Sequence, residues 1–100
     1  MRHYLKTWPQ YFGAVKCGVK PFEVRLNDRN YQTGDTLLLQ EYDPHAAAYT
    51  GNTLTCDITF LLSGGQFGIE QGYVAMGLRV TSSRTANAEA HASATKETIA

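Results

Sequence analysis

The sequence has 100 residues, and its nine basic and nine acidic side chains give a formal net charge of zero at pH 7. A chain of this length forms a single domain with a modest core, and the balanced charge argues against a general binder of polyanions. The sequence contains neither a secretory hydrophobic region nor a long apolar span, and Cys17 and Cys56 lack the close spacing of a metal or redox pair. We therefore expect a cytoplasmic protein with two reduced thiols and no membrane association.

The first clear element in the chain is a helix near residues 7–17. Residues 1–6 before it fit either an edge strand or an irregular lead-in. Thr7 and Gln10 have the spacing of a capping box, and Gly18 can end the helix. One face of this helix is aromatic and apolar, which predicts core packing rather than a base-stacking surface. The residues of that face are Trp8, Tyr11, Phe12 and Val15.

The strand predicted at about 21–26 combines apolar and charged side chains. Phe22, Val24 and Leu26 alternate with Glu23 and Arg25. A two-residue period directs the first set to a core and the second to the opposite surface.

Three further strands are predicted at about 36–42, 53–62 and 73–80. The run of three leucines in the first suits a strand that is buried on both faces. The second alternates most regularly, and its predicted core side chains are Leu54, Cys56, Ile58 and Phe60. One helix followed by four or five strands predicts an α+β fold, in which the helix closes a small curled sheet or partial barrel.

The C-terminal segment differs from the rest in composition. After Thr81 the only large apolar residue is Ile99, so this segment cannot bury enough surface to order itself. We expect a folded domain over residues 1–83 and a disordered tail over residues 84–100.

Charged side chains concentrate around the first predicted strand, where Lys20, Glu23, Arg25 and Asp28 fall within ten residues. An arginine fork, a carboxylate and a movable lysine together suit a nucleobase edge with a phosphate or ribose. The alternative is a pair of Glu23 and Arg25 within the strand together with a solvated Lys20, an arrangement that contributes little to stability. His3, His45 and His91 lie in separate segments without metal-ligand spacing, so we expect neither a metal site nor a cofactor.

The stretch LKTWPQYFGAVKCGVKPFEVRLNDRNYQTGDTLLLQEYDP resembles the opening of the ASCH/PUA-like superfamily, and most closely its small bacterial and phage branch known only as DUF3850. GVKPFEVR, YQTGD and FLLSGGQFGIEQGYVAMGL are the most specific parts of a resemblance that runs from His3 to Val80. It implies a PUA-like β-barrel of about five strands with an N-terminal helix packed against it. It also implies a cleft lined by Lys20 and by the charged face of the first barrel strand.

The same resemblance also implies what the protein binds or acts on. PUA relatives bind RNA, and one ASCH branch is a small amidohydrolase that acts on N4-acetylcytidine. The catalytic lysine of that branch matches Lys20, whereas its nucleophilic threonine falls at Glu23, so the same hydrolysis lacks its nucleophile.

We therefore expect a module that binds RNA or a single nucleoside or nucleotide, modified bases included. The expected ligand-binding residues are Lys6, Trp8, Lys20, Glu23, Arg25, Asp28 and Tyr73. The lysines would meet phosphate, and Trp8 or Tyr73 would stack on a base if either ring is exposed. One alternative is a nucleoside amidohydrolase or ribonuclease with Lys20 and Glu23 as its acid–base pair. Another is a protein-interaction module, and we expect a monomer in each case.

Overall fold

Five strands form one curled sheet, and one short helix packs against it, in a computed structural model that describes residues 1–86. The strands are β1 (Arg2–Thr7), β2 (Phe22–Leu26), β3 (Thr36–Asp43), β4 (Ala48–Ser63) and β5 (Tyr73–Arg84), and the helix is α1 (Pro9–Lys16). The predicted α+β class, with its single early helix and curled sheet, is confirmed.

The strand order is β1-β3-β4-β5-β2, with β1 parallel to β3 and all other pairs antiparallel. The three central strands are consecutive in the chain, whereas the two N-terminal strands form the two edges. Two arginines connect these edges. Arg25 Nη2 donates to the carbonyl oxygen of Lys6 at 2.9 Å, and Arg29 Nη1 donates to that of Tyr4 at 2.5 Å. The curled sheet forms a half-barrel. Hydrogen bonds from side chains connect its two edges at the point where a closed barrel would have backbone hydrogen bonds between strands.

The core lies inside the curl of the sheet, under α1. Its buried apolar members are Leu5, Phe12, Val15, Tyr31, Leu37, Leu39, Leu54, Cys56, Ile58, Val74, Met76 and Leu78. Every strand except β2 supplies an apolar side chain to this cluster. Leu38 is only half-buried, so β3 is fully buried on one face and not on both as predicted.

The helix starts two residues later than predicted. Thr7 belongs to β1, where its hydroxyl donates to the carbonyl oxygen of Leu5, and the N-cap Trp8 makes no side-chain capping bond. The predicted capping box is therefore wrong. Gly18 has φ +85°, which is the left-handed conformation expected of a glycine that ends a helix.

The orientation predicted for β2 is wrong. Glu23 is only 4% exposed, whereas Phe22, Val24 and Leu26 are 45%, 50% and 51% exposed. The strand turns its charged side inward because Arg25 and a lysine before the strand hold the carboxylate of Glu23. A buried carboxylate is tolerated when opposite charges and hydrogen bonds compensate for its lost hydration.

The core face predicted for β4 is wrong after Ile58, because the strand contains a β-bulge there. Ile58 pairs with Leu78 and Phe60 pairs with Gly77, so two positions of β4 lie against one of β5. The alternation reverses there, which leaves Phe60 66% exposed and packs Leu61 against the core instead.

The last strand is longer than predicted. β5 continues four residues beyond the expected end at position 80, because Ser82 to Arg84 pair with Thr53 to Thr55 of β4. Residues 87–100, which make up most of the tail predicted at 84–100, lie outside the described residues. Among residues 1–86, no helix is long and apolar enough to cross a membrane.

Candidate functional site

A cavity of about 420 Å³ opens between the end of β1, the first turn of α1 and β2. It occupies the gap between the two edges of the sheet. Nine residues line it: Lys6, Thr7, Trp8, Tyr11, Lys20, Phe22, Glu23, Val24 and Arg25. We refer to this cavity as the cleft.

The carboxylate of Glu23 forms the buried centre of the cleft, with a side chain that is 5% exposed. Its Oε1 contacts the ammonium group of Lys20, and its Oε2 accepts a hydrogen bond from Arg25 Nε at 2.9 Å. The Lys20 ammonium also donates to the carbonyl oxygen of Phe22 at 2.8 Å. Each oxygen of the Glu23 carboxylate therefore contacts one cation, and these contacts hold the side chains of Lys20 and Arg25 in place.

Arg25 connects the two sides of the cleft. While its Nε binds Glu23, its Nη2 reaches the carbonyl oxygen of Lys6 at 2.9 Å and the hydroxyl of Thr7 at 3.4 Å. The planar guanidinium can make these contacts at once because its donors diverge from one rigid fork. Arg25 thus sets the spacing between β1 and β2 as well as contributing charge.

One wall of the cleft is aromatic. Trp8, Tyr11 and Phe22 line it and are 49%, 48% and 45% exposed. The Lys20 nitrogen lies 5.0 Å from the centre of the Phe22 ring and 5.7 Å from that of Tyr11, within the range of cation–π attraction. Flat apolar surface and positive charge therefore stand side by side.

The charges of the cleft do not cancel. Lys6, Lys20 and Arg25 contribute three cations against the one carboxylate of Glu23. The Lys6 nitrogen lies 4.2 Å from the centre of the Tyr42 ring at the base of the β3–β4 hairpin. A positive field in a partly enclosed, low-dielectric site attracts anionic groups.

Five of the seven residues predicted to bind ligand line the cleft together, namely Lys6, Trp8, Lys20, Glu23 and Arg25. The other two do not line it. The side chain of Asp28 is 60% exposed and lies 4.0 Å from Arg29, and Tyr73 pairs with Leu26 at the start of β5.

Four lining residues were not predicted: Thr7, Tyr11, Phe22 and Val24. The predicted core face of α1 divides into two stripes, since Phe12 and Val15 are buried whereas Trp8 and Tyr11 face the cleft. The i, i+3 spacing within each pair was the available signal. Phe22 and Val24 were not predicted to line the cleft, because the sequence analysis had assigned both side chains to the core.

A second buried polar cluster lies away from the cleft. His3 Nε2 donates to Asp35 Oδ2 at 2.8 Å, the amide of Gln32 donates to the same oxygen at 3.1 Å, and the ring of His3 packs edge-on against Tyr31. The hydrogen bond from His3, assisted by the amide of Gln32, holds the pKa of Asp35 below its usual value, while burial raises the pKa of Tyr31. These contacts anchor the start of β1 to the turn before β3. No group of three or more His, Cys, Asp or Glu side chains among residues 1–86 is placed to hold a metal ion.

Comparison with known proteins gives a family and a relative. The model of a family described as a domain of unknown function, DUF3850, matches residues 2–78. A protein of Escherichia phage P2 named "Uncharacterized 12.9 kDa protein in GpA 3'region" is 40% identical over 57 residues, which cover 57% of this chain and 50% of the phage protein. The chain thus matches about half the length of that relative, and neither description states an activity.

Proposed function

We propose that this chain, which belongs to the DUF3850 family, is a cytoplasmic PUA-like domain of the ASCH type that binds RNA or a single nucleoside or nucleotide in the cleft. The observation that carries the proposal is the combination of a half-exposed aromatic wall with three cations in one cavity of about 420 Å³. That volume lies within the range of small-ligand sites.

The aromatic wall supports the part of the ligand that is a base. Trp8 has about half of its surface exposed, even though burial of an apolar ring normally lowers the free energy of the folded protein. Stacking of a base on an aromatic side chain contributes about 1–3 kcal/mol and tolerates any base, because every base has a flat π face. Trp8 and Tyr11 thus offer a stacking surface.

The cations support the part of the ligand that is a phosphate. Lys6 and Lys20 both line the cleft, and the ammonium group of Lys20 lies beside the aromatic wall. Phosphate oxygens in protein complexes with nucleic acids are bound mainly by such side chains. A nucleotide that stacks on Trp8 would place its phosphate within reach of these lysines.

The arrangement of Glu23 supports binding rather than acid–base catalysis. A general base must have an oxygen directed at the proton that it removes. Both oxygens of Glu23 are instead directed at cations of the protein itself, Lys20 and Arg25. The carboxylate thus serves to position these two cations.

Titration of the single tryptophan of the chain tests the proposal. Trp8 fluorescence should change on addition of short single-stranded RNA or nucleoside 5′-monophosphates. Lys20→Gln should weaken that binding at least about tenfold, since a hydrogen bond to a charged group contributes about 1.5–3 kcal/mol. Lys16→Gln is the matched control, because Lys16 is an exposed lysine of α1 that does not line the cleft.

Two results would contradict the proposal. One is the absence of any saturable response to all of these ligands, and the other is an equal loss of affinity in both lysine variants. Chromatography of the same mixtures, with acylated nucleosides included, tests the alternative. A product that Glu23→Gln abolishes would establish an amidohydrolase or ribonuclease instead.

A further inference from the structure

The outward side of β1 connects the cleft with a second cavity. Every second side chain of β1 is buried, and the alternate ones, Arg2, Tyr4 and Lys6, point to the outside of the sheet. We refer to these three side chains as the β1 row. Lys6 lines the cleft at one end of the row, and Arg2 lines another cavity of about 420 Å³ at the other end. One row of side chains thus leads from one cavity to the other.

The second cavity lies on the outside of the sheet and is rich in hydrogen-bond donors. Its polar side chains are those of Arg2, Thr53, Thr55, Ser82 and Arg84. Leu38 also lines it and pairs with Tyr4 on one side and with Thr55 on the other, so the β1 row borders this cavity. None of its lining residues in the described part of the chain is acidic. Guanidinium and hydroxyl groups of this kind bind the phosphate oxygens of nucleic acids.

The β1 row places an aromatic ring between two cations. Arg2 and Lys6 are exposed, and Tyr4 between them is 50% exposed. Because a strand rises about 3.3 Å per residue, the α-carbons of Arg2 and Lys6 are about 13 Å apart. A nucleic-acid strand advances about 3.4 Å per nucleotide along a helix, so this distance corresponds to about four stacked nucleotides. A ligand that contacts both ends of the row is therefore longer than a mononucleotide.

Two further arginines add positive charge along the free edge of β1. Arg25 donates to the carbonyl oxygen of Lys6, and Arg29 donates to that of Tyr4. The side chain of Arg29 is 45% exposed. Cations therefore follow β1 along its length, although the net charge of the whole chain is zero. Such a local concentration of basic side chains is the electrostatic signal of a short binding surface for a nucleic acid.

The arrangement fits a single strand better than a duplex. The cations lie along one edge strand, whereas a duplex presents the phosphates of two strands. Aromatic side chains such as Trp8 and Tyr4 stack on bases that are unpaired and splayed out, which the bases of a duplex are not. A positively charged path beside aromatic rings is how proteins bind single strands without a sequence preference.

We propose that the ligand of the cleft is a single strand of RNA of about four nucleotides or more, which continues from the cleft along the β1 row. One base stacks on Trp8 in the cleft, a second stacks on Tyr4, and Arg2 binds a phosphate at the second cavity. This inference rests on the proposed function, because it takes nucleotide binding in the cleft as given. It selects RNA over the single nucleoside or nucleotide as the ligand.

Fluorescence titrations of Trp8 with ligands of increasing length test the inference. The ligands are adenosine 5′-monophosphate and oligoadenylates of about two, four and eight nucleotides, a range that brackets the length of the β1 row. Affinity should rise up to about four nucleotides and level off beyond that length. Titrations of the tetranucleotide at several salt concentrations give the number of phosphate contacts, because each contact with a single strand changes the slope of log affinity against log salt by about 0.7.

Tyr4→Leu and Arg2→Gln change the β1 row outside the cleft, so each should leave the affinity for adenosine 5′-monophosphate unchanged. Tyr4→Leu should weaken binding of the tetranucleotide at least about fivefold, which is the lower end of what stacking on an aromatic ring contributes. Arg2→Gln should make the salt slope shallower by about 0.7. Lys16→Gln is the matched control, because it removes the same charge from an exposed residue that lines neither cavity.

Three results would overturn the inference and leave the proposed function standing. The first is an affinity for adenosine 5′-monophosphate equal to that for the tetranucleotide. The second is a tetranucleotide affinity that neither variant of the β1 row changes. The third is a salt slope that Lys16→Gln alters as much as Arg2→Gln does. Failure of every one of these ligands to bind would instead contradict the proposed function itself. Circular dichroism of each variant establishes that it is folded.

Discussion

Replacing Glu23 by glutamine removes a charge from the buried centre of the cleft while keeping the volume of the side chain. In the folded protein the carboxylate binds Lys20 and Arg25 at its two oxygens. A glutamine amide can accept a hydrogen bond from only one of these cations, because its nitrogen is a donor. We therefore expect Glu23→Gln to destabilise the protein markedly.

The magnitude follows from the burial of the three groups. Removing one partner of a fully buried ion pair costs about 3–5 kcal/mol, because the remaining charge is left uncompensated. The side chains of Lys20 and Arg25 are 20% and 28% exposed, so water reaches both and reduces that cost. We expect a loss of about 2 kcal/mol in the free energy of unfolding.

Urea denaturation measures this loss. For a domain of this size with an m-value of about 1–2 kcal/mol/M, the midpoint should fall by about 1–2 M. Val24→Thr is the control, because it keeps a β-branched residue at a position of the same strand that is half-exposed. It should change the free energy of unfolding by less than about 1 kcal/mol.

The opposite pattern would refute the inward orientation of Glu23. If Glu23→Gln were neutral and Val24→Thr cost more than about 1.5 kcal/mol, the strand would turn its apolar side to the core. The two variants therefore distinguish the two orientations of β2 without a further structure.

Two other predictions concern groups outside the cleft. Burial raises the pKa of the Cys56 thiol to about 11, whereas Cys17 is exposed. In the native protein at pH 8, a disulfide reagent should therefore modify Cys17 quickly and Cys56 only after denaturation. Two thiols that react quickly, or a thiol that reacts quickly in Cys17→Ser, would contradict this. The hydrogen bond from His3 holds the pKa of Asp35 below its usual 3.8, so this carboxylate stabilises the fold above about pH 4 and ceases to do so as the pH falls through its folded pKa. Asp35→Asn should thus cost about 1–3 kcal/mol at pH 7, and urea titrations should show the difference shrinking below about pH 4; a difference that stays constant with pH would contradict the assignment.

Much of the fold could be predicted from the sequence because it depends on local signals. The end of the helix at Gly18 follows from the conformational freedom of glycine, and the strand in residues 53–62 follows from a two-residue period. The gathering of Glu23 and Arg25 at one site also followed from their two-residue spacing along one strand, with Lys20 just before that strand.

The orientation of β2 could not be predicted in this way. A two-residue period separates two faces and does not state which one is buried, so the apolar face was assigned to the core. One contact that determines which face of β2 is buried is the hydrogen bond from Arg25 to the carbonyl oxygen of Lys6, which lies on another strand and 19 positions earlier. Such a contact depends on the curl of the sheet, which no local pattern contains. The bulge beside Phe60 likewise arises from pairing with β5.

We expect the strand order to influence the order in which the strands join during folding. β3, β4 and β5 are joined by hairpins and can pair as soon as each is made, whereas β1 pairs across α1 and β2, and β2 pairs across both hairpins. Closing these long loops is slow because its entropic cost precedes any contact. The cleft lies between β1 and β2, so we expect the meander of β3, β4 and β5 to have no cleft until these two edge strands are in place.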